Sequence, residues 1–274
     1  TPGTARKASS RVMAQAAQCM PSNTTLELQQ PDTAASGKLN AAHSSGASSS
    51  FRRSMSDACS AAGATQGAAD DGGGDGGTVR EVLRHANIEK VTMVEIDGEV
   101  IKACKEHLPE IAASFDDPRL ELIVDDGIAF VQNAPDAVYD LLIVDGSDPV
   151  GPAEGLFSVD FYQNCYRTLK ADGILVAQGE SPKFNEKAFA ELNQTLQGIF
   201  GAQNAPVGLF FVPTYPTGMW SFQYGLKGAA DPRKLTNTDA IKTFVAEKGL
   251  RYYNEDIHFS TFALPNFVKQ LIQK

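Results

Sequence analysis

No run of 18 apolar residues occurs in the 274 of this chain, and the longest apolar stretches, such as 141–144 or 209–212, have the length of strands. A membrane-spanning helix is therefore excluded. Cysteine is scarce: Cys19, Cys59, Cys104 and Cys165 lie at least 40 positions apart and form no CxxC pair. Neither a zinc ribbon nor a small disulfide scaffold fits that spacing, and a reducing compartment is the expectation. Aromatic residues are almost missing from residues 1–69, where Phe51 stands alone, and no tyrosine precedes Tyr139. No internal repeat of repeat-protein length is visible either.

Residues 1–69 instead hold 16 Ala, 12 Ser and 5 Gly, with no apolar periodicity. Such a segment cannot bury enough surface to offset its ordering entropy, so it is expected to be disordered. It carries six Lys or Arg against three Asp or Glu. A basic, Ser/Ala-rich and acid-poor stretch reads as a linker or, over its first 60 residues, as part of a plastid-type transit peptide, with the natural start upstream of Thr1. From Asp70 onward the balance reverses to 18 basic and 30 acidic residues. A surface that acidic disfavours nucleic acid and suits cationic small molecules, although it equally serves the solubility of a cytoplasmic enzyme.

From Thr78 the chain alternates helix-period stretches with apolar runs, which predicts βαβ units and a parallel sheet. Helices are expected over 78–86, 99–108, 128–133, 159–170, 186–200 and 239–248. Strands are expected over 90–96, 120–124, 141–145 and 174–178, followed by an antiparallel pair, 207–212 and 219–226, around Pro213-Thr-Tyr-Pro-Thr-Gly218. The fold class is α/β: a Rossmann-like, doubly wound sheet of the methyltransferase type, mostly parallel, with an antiparallel edge pair. The catalytic domain is expected over 70–274, after a disordered amino-terminal segment at 1–69. The apolar tail at 262–272 is expected to pack on the core.

Three constellations carry the chemistry. The first is Gly72-Gly-Gly-Asp-Gly-Gly77 running into a helix, followed about 20 residues on by the strand Val91-Thr-Met-Val-Glu95. Glycines allow close approach of a ligand to backbone N–H groups, and an acid at that spacing suits the two hydroxyls of a ribose. Glu95 is the ribose candidate, with Asp97 beside it as either a second contact or a surface acid. The second is Asp125-Asp126-Gly127 after a strand. Asp126 is suited either to an adenine amino group, with the Gly127 backbone reaching a ring nitrogen, or to capping a helix. The third is Asp145-Gly-Ser-Asp148-Pro-Val-Gly-Pro152-Ala-Glu154. Two carboxylates on a proline-stiffened loop at a strand's carboxyl end face the ligand crevice of an open α/β sheet. An amine nucleophile is protonated up to a pH of about 10, so one carboxylate can accept its proton while the other holds an ammonium; a turn capped by two Asp side chains is the alternative.

These motifs, together with Gln178-Gly-Glu180, Pro213-Thr-Tyr-Pro-Thr-Gly218 and the near-terminal Tyr252-Tyr-Asn-Glu-Asp-Ile-His258, resemble the polyamine aminopropyltransferases in order and spacing, with the spermidine-forming members nearest. The resemblance covers 71–274. It implies that Asp75 holds the aminopropyl ammonium of decarboxylated S-adenosylmethionine, Glu95 the ribose, and Asp126 and Gly127 the adenine, with Pro152 lining the adenine pocket. It further implies that Asp145 accepts the proton, that Asp148 binds the acceptor amine, and that Tyr215 and Gln178 line the amine's path. The implied reaction is direct displacement by putrescine, with methylthioadenosine leaving. No metal or resident cofactor is expected, because the sulfonium is already activated and decarboxylated S-adenosylmethionine is a co-substrate. The expected partners are these two small molecules, with no nucleic acid and no membrane. No catalytic role falls to His85, His107 or His258.

One part departs from that pattern. Family members begin with a small β-rich domain that assists oligomerisation and lends a glutamine and a tyrosine-containing motif to the site, and 1–69 resembles it nowhere. The residues before the glycines, Ala61-Ala-Gly-Ala-Thr-Gln-Gly-Ala-Ala-Asp70, also read as too small and Gly-rich for a central strand. The expectation is a sheet without its middle and a weakened homodimer. Two further readings remain open at this stage: a putrescine N-methyltransferase using S-adenosylmethionine, and a catalytically inactive truncated homologue.

Overall fold

The computed structural model describes residues 68–71, 74–146, 151–213, 215, 217–235 and 238–273, with 68–71, 151 and 152 given by backbone alone. The expected disorder or transit character of 1–67 lies outside the described residues.

Seven strands form one sheet: β1 (Ala68–Asp71), β2 (Val91–Glu95), β3 (Leu120–Val124), β4 (Tyr139–Val144), β5 (Leu169–Gln178), β6 (Val207–Phe211) and β7 (Met219–Leu226). Their spatial order is β3-β2-β1-β4-β5-β7-β6. Every pair from β3 to β5 is parallel, and β7 runs antiparallel to both β5 and β6. The mixed sheet with its antiparallel edge pair is the architecture expected from the sequence.

The expectation of a missing middle strand is overturned. β1 lies at the centre, with Ala68 opposite Val91 on one side and Leu141 on the other, and Asp71 opposite Val94 and Val144. It spans the 69/70 boundary drawn from composition. Strand propensity misled because it measures side-chain packing more than any backbone preference. A four-residue strand flanked by β2 and β4 gains its ladder hydrogen bonds from both neighbours, and those neighbours bring the apolar side chains.

The apolar runs alternate between two cores, as a sheet covered on both faces requires. On β4, Leu141 and Ile143 join one core while Leu142 and Val144 join the other, and on β5 Ile174 and Val176 separate from Leu175 and Ala177 in the same way. The first core receives Val79, Val82 and Leu83 of α1 (Gly77–Leu83). α2 (Gly98–His107) and the single turn α3 (Pro109–Ala112) follow β2. The second core receives Val131 of α4 (Gly127–Asn133), Phe161, Tyr162 and Cys165 of α5 (Val159–Thr168), and Leu192, Leu196 and Phe200 of α6 (Glu186–Phe200). α7 (Thr238–Lys248), α8 (Glu255–Thr261) and α9 (Asn266–Ile272) complete the chain, and the apolar tail packs as expected, with Val268 of α9 buried beside Phe189 and Val207.

α5 stops two residues short of the expected end. Thr168 Oγ1 donates to the Cys165 carbonyl at 3.0 Å, and Lys227 Nζ donates to the carbonyls of Tyr166 and Leu169, both at 2.7 Å, so the helix is closed just where β5 begins. Arginines close two other helix ends: Arg119 donates to the carbonyls of Leu83, His85 and Ile88 after α1, and Arg167 to those of Val131, Gln132 and Ala134 at the end of α4. Such cations satisfy orphan carbonyls and oppose the helix dipole. Among the described residues no helix is long and apolar enough to cross a membrane.

Candidate active site

All parallel strands present their carboxyl ends to one edge, and the chain reverses from β1 to its two neighbours there, which is where open α/β sheets take ligands. Along that edge the polar groups follow the strand order. Asp125 and Asp126 follow β3, Glu95 ends β2, Asp75 lies in the loop after β1, Asp145 follows β4 and Gln178 ends β5. Strands lie about 4.8 Å apart, so the run from β3 to β5 spans about 19 Å.

The loop between β1 and α1 brings backbone against carboxylate. A Cβ on Gly74 would meet Glu95 Oε2 at 2.6 Å and Val100 Cγ1 at 2.8 Å, so glycine is what allows Glu95 to lie against this loop. Gly76 has φ +81° and faces the Phe115 ring, so a side chain there would be strained as well as crowded. Asp75 between them is 4% exposed, and its Oδ1 accepts the Gly77 N–H at 2.8 Å. Glu95 is buried too, and its Oε1 accepts the Asp97 N–H at 3.0 Å. Burial holds the Glu95 carboxyl above the usual range, and the backbone donation from Asp97 only partly offsets it. Such a group gains from further hydroxyl donors.

Asp97 and Asp126 are both exposed helix caps. Asp97 Oδ1 accepts the Glu99 N–H at 2.9 Å at the start of α2, and Asp126 Oδ1 accepts the Ile128 N–H at 2.9 Å at the start of α4. Gly127, the first residue of α4, is buried. Capping fixes where the Asp126 carboxylate stands at the rim.

Asp145 is buried directly after β4, and its Oδ2 accepts the Thr78 hydroxyl at 3.0 Å. Asp148 lies outside the described residues, and Pro152 is placed by its backbone alone, in the turn Gly151–Phe157.

Gln178 sits in a tight polar knot. Its Nε2 donates to Glu180 Oε1 at 2.9 Å, and its Oε1 accepts both the Glu180 N–H at 2.5 Å and Trp220 Nε1 at 3.2 Å. Asn185 Nδ2 donates to Glu180 Oε2. Tyr215, in the β6–β7 turn, meets Trp220 edge to face with centroids 4.5 Å apart. The knot thus joins Gln178 to the Tyr215–Trp220 pair. Sequence reading gave no role to Thr78, Glu180 or Trp220. Glu180 carried a signal, an acid two residues beyond a strand-terminal glutamine, and Trp220 is the only tryptophan in the chain; Thr78 carried none. Among the described residues no group of three or more His, Cys, Asp or Glu stands where it could hold a metal ion.

The sequence pattern of the family described as the spermine/spermidine synthase domain matches residues 72–233. A polyamine aminopropyltransferase of Moorella thermoacetica is 47% identical over 200 residues, covering 73% of this chain and 68% of that protein. One of Caldicellulosiruptor saccharolyticus is 46% identical over 200 residues, covering 73% and 69%. Among solved structures, a spermidine synthase in complex with the transition state analogue AdoDATO matches with a TM-score of 0.71 and 39% identity, covering 76% of this chain and 69% of that one. The spermidine synthase of Thermotoga maritima matches with a TM-score of 0.69 and 38% identity, covering 76% and 68%.

Proposed function

The chain belongs to the spermine/spermidine synthase family, the polyamine aminopropyltransferases, and from that premise we propose that it transfers the aminopropyl group of decarboxylated S-adenosylmethionine to putrescine, giving spermidine and methylthioadenosine. The observation that carries this reading is the order of polar groups along the sheet edge: Asp126, Glu95, Asp75, Asp145, Gln178, Tyr215. That is the order of the parts of the two substrates laid end to end, from adenine through ribose and aminopropyl chain to the reacting amine and its methylene tail.

In this reading Asp126 and the Gly127 backbone hold the adenine, with Pro152 beside it, and Glu95 holds the ribose hydroxyls. Asp75 faces the ammonium of the aminopropyl chain; a donor lacking its carboxylate presents only a cation there, which a buried carboxylate favours. Asp148 binds the acceptor amine, and Tyr215 and Gln178 line its chain. Asp145 takes a proton from putrescine's amine, whose nitrogen then attacks the methylene carbon next to sulfur. The N–C bond forms, the C–S bond breaks, its electron pair stays on sulfur, and neutral methylthioadenosine departs. Alignment of nucleophile and leaving group supplies most of the rate.

Purified protein incubated with putrescine and either decarboxylated S-adenosylmethionine or S-adenosylmethionine, with products read by mass spectrometry, tests the proposal. Spermidine and methylthioadenosine from the first donor are expected. N-methylputrescine from the second, or no product from either, would overturn it.

A further inference from the structure

Asp145 is placed by its strand, and a bond to its carboxylate comes from another element. Thr78 stands at the second position of α1, fully buried, and its hydroxyl donates to Asp145 Oδ2 at 3.0 Å across 67 residues of sequence. α1 and β4 meet here because β1 lies between β2 and β4 and its loop turns the chain directly into α1. Val79, on the same helical turn, is packed into the core with Leu141 and Ile143 of β4, so the bond lies beside a packed part of the fold.

A hydroxyl donor to one carboxylate oxygen does two things. It holds the carboxylate plane in one orientation, and it stabilises the ionised form against the protonated one. Asp145 is 6% exposed, and burial alone would push such a carboxyl toward the neutral state, in which it accepts no proton. We propose that Thr78 is a positioning residue for the transfer reaction, orienting Asp145 toward the acceptor amine and keeping it ionised at the pH where the enzyme works. This rests on the reading of Asp145 as proton acceptor given above.

The test separates the two. In protein labelled with carbon-13 at the aspartate carboxyl, the Asp145 signal is assigned by its loss in Asp145→Asn and titrated in the wild type, Thr78→Val and Thr78→Ser. The Val variant keeps the shape and removes the donor, so its midpoint should rise by about one pH unit; Ser keeps the donor and should restore the wild-type midpoint. In turnover, Thr78→Val should lower kcat by about tenfold and move the acid limb of kcat/KM upward, with the donor KM unchanged and Ser restoring both. Should Thr78→Val fail to fold by circular dichroism, Thr78→Ala removes the same hydroxyl without the γ-branch. An unshifted Asp145 midpoint in the Val or Ala variant, or a Ser variant as shifted as Val, would overturn the proposal. A wild type that makes no spermidine would overturn the reading of the reaction, while the titration would still decide whether Thr78 sets the proton affinity of Asp145.

Discussion

Gln178 and Glu180 hold one another: the glutamine amide donates to the glutamate carboxylate at 2.9 Å, and the glutamate's own N–H donates back to the glutamine carbonyl at 2.5 Å. Glu180 achieves this in a left-handed conformation, φ +64°, with its side chain fully buried. A non-glycine residue there costs about 1 kcal/mol or more, which the surrounding bonds offset. Ser221 Oγ donates to the Glu180 carbonyl at 2.8 Å and so fixes the backbone as well.

Removing the Glu180 carboxylate leaves the Gln178 and Asn185 amide donors without that acceptor. Glu180→Ala should lower the unfolding free energy by about 2–4 kcal/mol, since each buried unsatisfied group costs about 1–3 kcal/mol. Glu180→Gly loses the same bonds and relieves the backbone, so it should be less destabilised than Glu180→Ala by about 1 kcal/mol. Urea unfolding followed by far-ultraviolet circular dichroism ranks the two, and an Ala variant as stable as Gly would show that the left-handed turn stores no strain.

Much of this arrangement was legible in the sequence, and what was not has physical causes. The apolar runs on β4 and β5 marked buried strands, and the acids placed after β2, β3 and β4 stand where βαβ geometry puts ligand contacts. The short helix α8 was missed because, over Glu255–Thr261, Ile257 and Phe259 alternate with polar residues and mark no helical face. β1 was missed because Ala68–Asp71 has none of the β-branched residues that mark a strand, its place being set by the two neighbours it joins. Pairings such as Thr78 with Asp145 and Trp220 with Gln178 join residues 67 and 42 positions apart, and no local pattern reports them. The pairing of side chains across the sheet edge is a property of the topology.

Glu95 should govern donor binding rather than turnover. Its carboxylate accepts from the backbone yet stays above its ordinary pKa through burial, so a ribose hydroxyl donating to it would stabilise its ionised form. Glu95→Gln replaces an acceptor-only group with one that presents a donor, and a hydrogen bond to a charged group is worth about 1.5–3 kcal/mol. The donor KM should rise about 10–100-fold while kcat stays within about threefold. Because the raised pKa means that the ionised acceptor is lost at a higher pH than for an exposed glutamate, the wild-type donor KM should climb with falling pH earlier than an ordinary glutamate would make it, and the Gln variant should not share that climb.

Asp145→Asn should show the opposite split. Asparagine keeps the size and still accepts the Thr78 hydroxyl, but it takes no proton from an amine. Loss of a positioned general base typically costs about 10²–10⁴-fold, so kcat should fall by that order while the dissociation constant for methylthioadenosine, measured by calorimetry, changes less than about threefold. A variant retaining full turnover would remove Asp145 from the mechanism.

His258 ties the end of the chain to the core and makes stability depend on pH. Its Nε2 faces the Pro232 carbonyl at 2.9 Å, so that nitrogen carries the proton, and Nδ1 accepts from the Tyr253 hydroxyl at 2.5 Å. Burial lowers its pKa to about 4 from the ordinary 6.5, with the Pro232 carbonyl acting weakly the other way. Between those values the unfolded chain binds a proton that the folded one does not. The folded state is therefore destabilised as pH falls from about 6.5 to about 4, by up to about 3 kcal/mol at the lower end, with no contribution from this group above pH 7. Urea midpoints measured at pH 7.5, 6 and 5 should decline accordingly. Tyr253→Phe should destabilise the protein at pH 7.5 by about 1–2 kcal/mol, since a buried ring nitrogen loses its donor, and should flatten the decline, because a histidine whose neutral form has lost a partner accepts a proton more readily. An equal slope in wild type and Tyr253→Phe would mean that the pH dependence arises elsewhere in the chain.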